Sequence, residues 1–336
     1  MHQPAASIPH RPMRFIIRAD ASNLMGAGHV MRCIAIAEEL AEKGHEVILV
    51  GQTKNLPWVE AKVNSSGFSR IYSNPANLRP DPDADVLILD SYEIDPIDPF
   101  LDSRKWRKVV ALVDDTTPKF HADLYIHPGS GTTWLPPEKE RKAPFVSGIE
   151  YIAIRKSIQN LKRNARPKVP DCLRILVTGG GSDPYDFCGE IVKMLQKLSV
   201  NFSAKVFSQS KEIQTHDARF VFVEIGSKLE EFLPDTDLIF TTAGTSSWEF
   251  LSCGFPIGLA CAVDNQVANF KCQTQNGLAM GIGERNNHQS WELDEVNIEK
   301  LVSNPQIRNE LSVQARGQVD GKGSARIVEV ILGILQ

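Results

Sequence analysis

Long apolar runs are missing from this chain. No stretch reaches the roughly 20 residues that a membrane-spanning helix needs, so no membrane insertion is expected. The six cysteines show no C-x-x-C spacing, which argues against a structural zinc and for reduced thiols in a cytoplasmic protein. No His, Asp and Glu cluster has metal-ligand spacing, so no metal is expected; no cofactor is expected either. Charge of one sign is also lacking: the net charge is −4, and nothing in it predicts nucleic-acid binding. No heptad pattern or long apolar stripe stands out, which leaves a monomer as the expected state. There is no short-period repeat. Residues 1–12 lack the apolar core of a signal peptide and are expected to be a disordered leader, with Met13 as a second candidate start.

What is there suffices for two domains. The chain has 336 residues, of which 42% are hydrophobic, enough for two cores. Short apolar runs alternate with helical patterns. Phe15–Ile17, His45–Val50, Val86–Leu89 and Val109–Val113 read as strands. Val30, Cys33, Ile34, Ala37 and Leu40 recur at three- and four-residue steps, which predicts a helix over 29–43 closed by Gly44. A basic, proline-containing stretch follows, and then the alternation restarts. Leu173–Val177, Lys205–Phe207, Phe220–Val223, Leu238–Phe240 and Pro256–Ala262 read as strands, with a helix over about 186–199. Strands that are apolar throughout and separated by helices argue for parallel sheets covered on both faces. The expected division is a first domain over 13–157, a linker over 158–171, a second domain over 172–318 and an amphipathic helix over 319–336, where Ile327, Val330, Ile331 and Ile334 share one face.

Ligands of such sheets bind beyond the carboxyl ends of the strands. Three glycine- or hydroxyl-rich loops lie at such ends. The first, Gly26-Ala-Gly28-His29, precedes a helix, whose free N–H groups favour anions and whose dipole favours a neutral, proton-accepting His29. Arg32, one turn on, supplies positive charge or holds a carboxylate. Spacing alone leaves a helix-capping histidine and a catalytic one both open. The third glycine of a dinucleotide fingerprint is absent, and this is not a Walker loop. The second loop is Gly179-Gly180-Gly181-Ser182-Asp183-Pro184, with Asp183 a candidate cap. The third, Ala243-Gly244-Thr245-Ser246-Ser247-Trp248-Glu249, is either a diphosphate cradle with Glu249 bonding two ribose hydroxyls, or an ordinary helix start in which Ser246 and Ser247 cap and Glu249 is a favourable first-turn carboxylate. Asp264-Asn265-Gln266 opens another helix. Asp90-Ser91-Tyr92 and Asp114-Asp115 close first-domain strands; they either face the same cleft or, the reading preferred from the residues alone, are solvated loop carboxylates.

Taken together, Arg18-Ala-Asp20-x-Ser22, Gly26-x-Gly28-His29-x-x-Arg32, Leu89-Asp90-x-Tyr92, Asp114-Asp115, Gly179-Gly-Gly-Ser182-Asp183, Gly244-Thr-x-x-Trp248-Glu249 and Asn265-Gln266 resemble the UDP-sugar hydrolases of pseudaminic acid biosynthesis and the related spore-coat polysaccharide proteins. The likeness runs in order from about residue 13 to the end. It implies an α/β fold of the glycosyltransferase-B type, two Rossmann-like domains facing a cleft, with the last helix crossing back to the first domain. It also implies metal-independent, inverting hydrolysis of a UDP-linked 2,4-diacetamido-2,4,6-trideoxy sugar. By the same resemblance His29 is the base on the attacking water, Glu249 holds the UDP ribose and Arg155 contacts UDP. Gly28, Gly181, Gly244, Thr245, Ser246 and Ser247 line the nucleotide, while Asp20, Tyr92 and Asn265 belong to the substrate site. Ser91, Asp264 and Ala243 depart from the family's usual His, Glu and Gly. A glycosyltransferase that uses a UDP-sugar donor is the alternative on the same fold.

Overall fold

The computed structural model describes residues 12–22, 26–54, 56–71, 85–91, 94, 98–129, 133–161, 170–208, 215–226, 228–287 and 290–336. Tyr92, most of the leader and the centre of the expected linker lie outside these residues. The strands are β1 (Arg14–Ala19), β2 (Ala21–Ser22), β3 (Glu46–Val50), β4 (Thr53–Lys54), β5 (Ser69–Ile71), β6 (Asp85–Asp90), β7 (Lys108–Leu112), β8 (Leu124–His127) and β9 (Phe145–Ser147), then β10 (Leu173–Thr178), β11 (Phe202–Phe207), β12 (Phe220–Val223), β13 (Leu238–Thr242), β14 (Ile257–Cys261), β15 (Met280–Arg285) and β16 (Trp291–Leu293). The helices are α1 (Gly28–Glu42), α2 (Pro57–Ser65), α3 (Lys156–Gln159), α4 (Phe187–Gln196), α5 (Thr245–Ser252), α6 (Val267–Gln275), α7 (Glu295–Ser303), α8 (Pro305–Gln318) and α9 (Gly323–Gly333).

Two seven-stranded sheets result, in the orders β5-β3-β1-β6-β7-β8-β9 and β12-β11-β10-β13-β14-β15-β16. All pairings in the first are parallel. In the second, β16 runs antiparallel to β15 at the edge, a reversal the all-parallel expectation omits. The central strands carry aliphatic side chains on both faces because helices or loops cover both. β6 is buried at every position. Its Val86 and Ile88 join the core under α1, while Leu87 and Leu89 join the core on the other face. The alternation places Asp90 on the α1 face.

α1 forms as its spacing predicts, burying Val30, Cys33, Ile34, Ala37 and Leu40. Its end is set by Gly44, at φ +84. There the His45 N–H bonds the Leu40 carbonyl and the Gly44 N–H the Ala41 carbonyl, a left-handed closing turn that glycine adopts at least cost.

The chain passes between the two halves twice. On the first crossing Ala153 packs into the first core, whereas Ile152, Ile154 and Ile158 pack into the second. The stretch expected to open a linker therefore begins inside packed structure, because α3 carries Ile158 into that core. On the return, α9 buries Ile327, Val328 and Ile331 among the residues of α1 and the first sheet. The two crossings are bonded side by side: the Ile154 N–H donates to Ser324 Oγ at 3.2 Å, and that hydroxyl donates to the Ile154 carbonyl at 3.3 Å. None of the six cysteines forms a disulfide. No helix among the described residues is long and apolar enough to cross a membrane.

Candidate functional site

The carboxyl ends of both sheets open onto one cavity of about 1370 Å³ between the two halves. Two helix N-termini meet at its edge. Gly28 begins α1 and Thr245 begins α5, and a Cβ added to Gly28 would lie 2.5 Å from Thr245 Oγ1. Only glycine lets these ends approach so closely. The first N–H groups of a helix have no partner within it and carry its positive pole, so the paired ends favour an anion. On α5 the Ser247 N–H already bonds the Gly244 carbonyl, which leaves Thr245 and Ser246 as the N–H groups for a ligand.

His29 sits in the first turn of α1 and lines the cavity while remaining 4% exposed. Its Nδ1 lies 2.5 Å from Asp90 Oδ1. Arg32, one turn further along, holds the same carboxylate with two donors, Nε to Oδ2 at 2.5 Å and Nη2 to Oδ1. Cys33 Sγ donates to Asp90 Oδ2 at 3.5 Å. Asp90 is therefore a fully buried anchor and not the solvated loop carboxylate expected from sequence. Burial pushes its carboxyl up, but Arg32 and His29 outweigh that and hold it well below the usual carboxylate range. Arg32 Nη2 also comes within 3.0 Å of His29 Nδ1. A guanidinium cannot accept a proton, and the Nδ1–H points to the carboxylate, so this approach is a shared corner of the cluster and not a hydrogen bond. A carboxylate on Nδ1 fixes the tautomer that leaves Nε2 to take a proton, and it stabilises the imidazolium that results.

Across the cavity Arg155 forks onto Glu249, Nε to Oε1 at 2.6 Å and Nη2 to Oε2 at 2.7 Å, with both side chains buried. Burial alone lowers the guanidinium's proton affinity; Glu249 and then Glu230 reverse this and keep it charged. Arg32 and Arg155 are thus each committed to a carboxylate, and the helix ends are left as the part of the cavity that favours an anion. Lys62 of α2 bonds Glu230 at 2.5 Å, and Arg155 Nη1 is 4.0 Å from the same carboxylate.

The second glycine loop is closed by the first half. Trp58 Nε1 donates to the Gly181 carbonyl at 3.1 Å. A Cβ on Gly181 would meet the Trp58 ring at 2.9 Å, and one on Gly226 would meet Trp58 Cβ at 2.5 Å. Asp183 does cap a helix, though not at its own position. Its carboxylate accepts the Phe187 and Cys188 N–H groups at 3.0 and 3.1 Å, and α4 begins at Phe187.

The cavity gathers Gly28, His29, Arg155, Gly181, Gly244, Thr245, Ser246, Glu249 and Asn265 from the sequence-predicted set. Two others turn away from it. Asp20 accepts the Gln52 N–H at 2.8 Å and pairs with Arg18 at 3.2 Å, which ties it to the end of β1. Ser247 is fully buried, with its hydroxyl donating to the Gly244 carbonyl at 2.7 Å and accepting from Gln273 at 2.8 Å. Sequence reasoning missed Asp90 as the partner of His29 and overlooked Trp58 and His127. For Asp90 the available signal was its phase on β6, which matches the face that α1 covers.

No family model matches this chain. An uncharacterized protein of Methanocaldococcus jannaschii is 26% identical over 273 residues, covering 73% of this chain and 55% of that protein. The chain spans about half the length of this curated relative. Among solved structures, the calicheamicin glycosyltransferase CalG4 aligns over 97% of this chain and 98% of its own at 13% identity, with a TM-score of 0.55. A putative UDP-N-acetylglucosamine 2-epimerase from Listeria monocytogenes aligns over 97% of each chain at 12% identity, TM-score 0.58. The S. aureus MnaA structure solved with UDP aligns over 96% of this chain and 97% of its own at 13% identity, TM-score 0.60. At such identities the likeness is one of architecture, and the chain has the two-domain α/β fold of the glycosyltransferase-B type.

Proposed function

We propose that this chain is an enzyme that binds a UDP-sugar in the cleft and breaks its anomeric C1–O bond, with His29 as the base on the attacking nucleophile. The observation that carries this reading is the His29–Asp90 pair in the same cavity that receives the first turns of α1 and α5. Nε2 takes the proton as the nucleophile's oxygen bonds to C1. The bond from C1 to the β-phosphate oxygen breaks, and UDP leaves with the electron pair. Its growing charge is met by the N–H groups of Gly28, Thr245 and Ser246. Attack opposite the leaving group inverts C1. Glu249 keeps lone pairs outside the Arg155 fork for the two ribose hydroxyls.

The nucleophile separates two readings. Likeness to a protein named as a calicheamicin glycosyltransferase favours an acceptor hydroxyl. The ordered motifs from Asp20 to Gln266 favour water, and with it a 2,4-diacetamido-2,4,6-trideoxy sugar. The test is NMR of UDP-N-acetylglucosamine and of the diacetamido UDP-sugar mixed with the protein, following the anomeric signal without acceptor. Free sugar of inverted anomeric configuration supports hydrolysis. A signal that changes only when an acceptor is added supports transfer. Protein that fails to bind UDP at all refutes both.

A further inference from the structure

A second histidine faces the cavity and takes no part in the chemistry above. His127 ends β8, lines the cavity wall and is 6% exposed. Its Nδ1 is buried and has no hydrogen-bond partner among the described residues. Buried side-chain nitrogens are normally bonded, and one left open at a cavity wall is explained by a ligand that completes it. Its position says which part of a ligand. In the first sheet β8 lies two strands from β6, where Asp90 anchors His29. Two strand spacings are about 10 Å, so the rim runs from the base toward His127 over the span of one substituted sugar ring. The neighbouring rim residues, Asp114 and Asp115, are carboxylates that also line the cavity. A wall of acceptors repels phosphate and suits hydroxyls and amide N–H groups. The second half meets it here: a Cβ on Gly129 would lie 3.2 Å from His127 Cε1 and 3.5 Å from Asn269 Oδ1 of α6.

We propose that His127 is a specificity-determining residue of the glycosyl subsite, its imidazole accepting a hydrogen bond from a hydroxyl or amide N–H on the sugar. The inference rests on the UDP-sugar reading and adds to it which wall reads the sugar. Burial pushes the imidazole below its ordinary value; the nearby Gly129 backbone, which does not reach hydrogen-bond geometry with Nδ1, and the charges of Asp114 and Asp115 pull the other way, and the lowered value favours the neutral, accepting form.

The experiment is calorimetric titration in a His29→Ala background, where turnover does not consume the ligand. The probes are UDP, UDP-glucose, UDP-N-acetylglucosamine and the diacetamido UDP-sugar. His127→Phe keeps an aromatic ring and removes the acceptor; His127→Asn restores a short polar group. The expected result is that His127→Phe weakens the best-bound UDP-sugar about tenfold or more and UDP less than twofold, with His127→Asn regaining part of the loss. Unchanged UDP affinity also shows that the variants fold. The proposal is overturned if His127→Phe keeps its affinity for the UDP-sugar, or loses UDP and UDP-sugar in parallel. It is equally overturned if no sugar in the series alters the affinity of the parent protein over UDP alone. If UDP itself does not bind, the parent reading falls, and this one with it.

Discussion

His29 is oriented by a side chain 61 positions away in sequence. Asp90→Asn tests that arrangement at constant shape. The amide no longer holds the Nδ1–H tautomer, and kcat is expected to fall about 100-fold or more, while UDP binds within about twofold of the parent in the same titration. Arg32, and then His29, around Asp90 also set an acid limb. The Asp90 carboxyl is depressed in the folded protein, so its contribution is fully present above its unfolded value of about 3.9 and is lost as pH falls below that. Thermal melts between pH 6 and pH 3 should therefore show a shallower acid limb in Asp90→Asn than in the parent. The composition of this cluster was visible in the sequence, since both Arg32 and Asp90 stood out. Its connectivity was not, because a carboxylate at a strand end is solvated or buried according to which helix covers it. Asp20 went the other way: it was placed in the substrate site, but the backbone N–H of Gln52 on the neighbouring loop captures it.

Helices show the same division between what is local and what is not. The start and end of α1 follow from its own residues, the glycine loop before it and Gly44 after it. The reason for Gly28 is not local, because the atom that excludes a side chain there belongs to Thr245 on α5. Gly28→Ala should lower stability by about 1–3 kcal/mol and weaken UDP binding; Thr245→Ala in the same chain removes the colliding oxygen and should return much of the stability in denaturant titrations. Ser247 was predicted on the nucleotide with its neighbours, but helix phase turns its hydroxyl back to Gly244 and Gln273. α9 was legible in part: Ile327 and Ile331 are buried as its predicted face requires, but Val330 and Ile334 are only partly buried, Val328 joins the core instead, and the helix runs over Gly323–Gly333 and not 319–336. Ile331 is fully buried in the first core, and Ile331→Ala should cost about 2–5 kcal/mol in the same assay.

For the whole molecule, two largely parallel sheets were legible from alternation and buried-strand composition, and their carboxyl ends open onto the cavity. The antiparallel β16 was not, since three residues carry too little pattern. Contacts across the cleft were also hidden, because each depends on how the halves meet. Trp58 on Gly181 and Lys62 on Glu230 join α2 to the second half beside the second glycine loop. Trp58→Ala should weaken UDP binding about tenfold and give the unliganded protein a larger radius of gyration in solution scattering. Lys62→Ala should have a smaller effect, in keeping with a half-exposed pair worth about 1 kcal/mol or less, and one that shrinks at high salt. The paired crossings at Ile154 and Ser324 have a mechanical consequence. Two crossings fastened to each other place both covalent links between the halves along one line. The Trp58–Gly181 bond and the Gly28–Thr245 approach both lie across the cleft, so a rigid rotation of one half about that line would lengthen or shorten the two together.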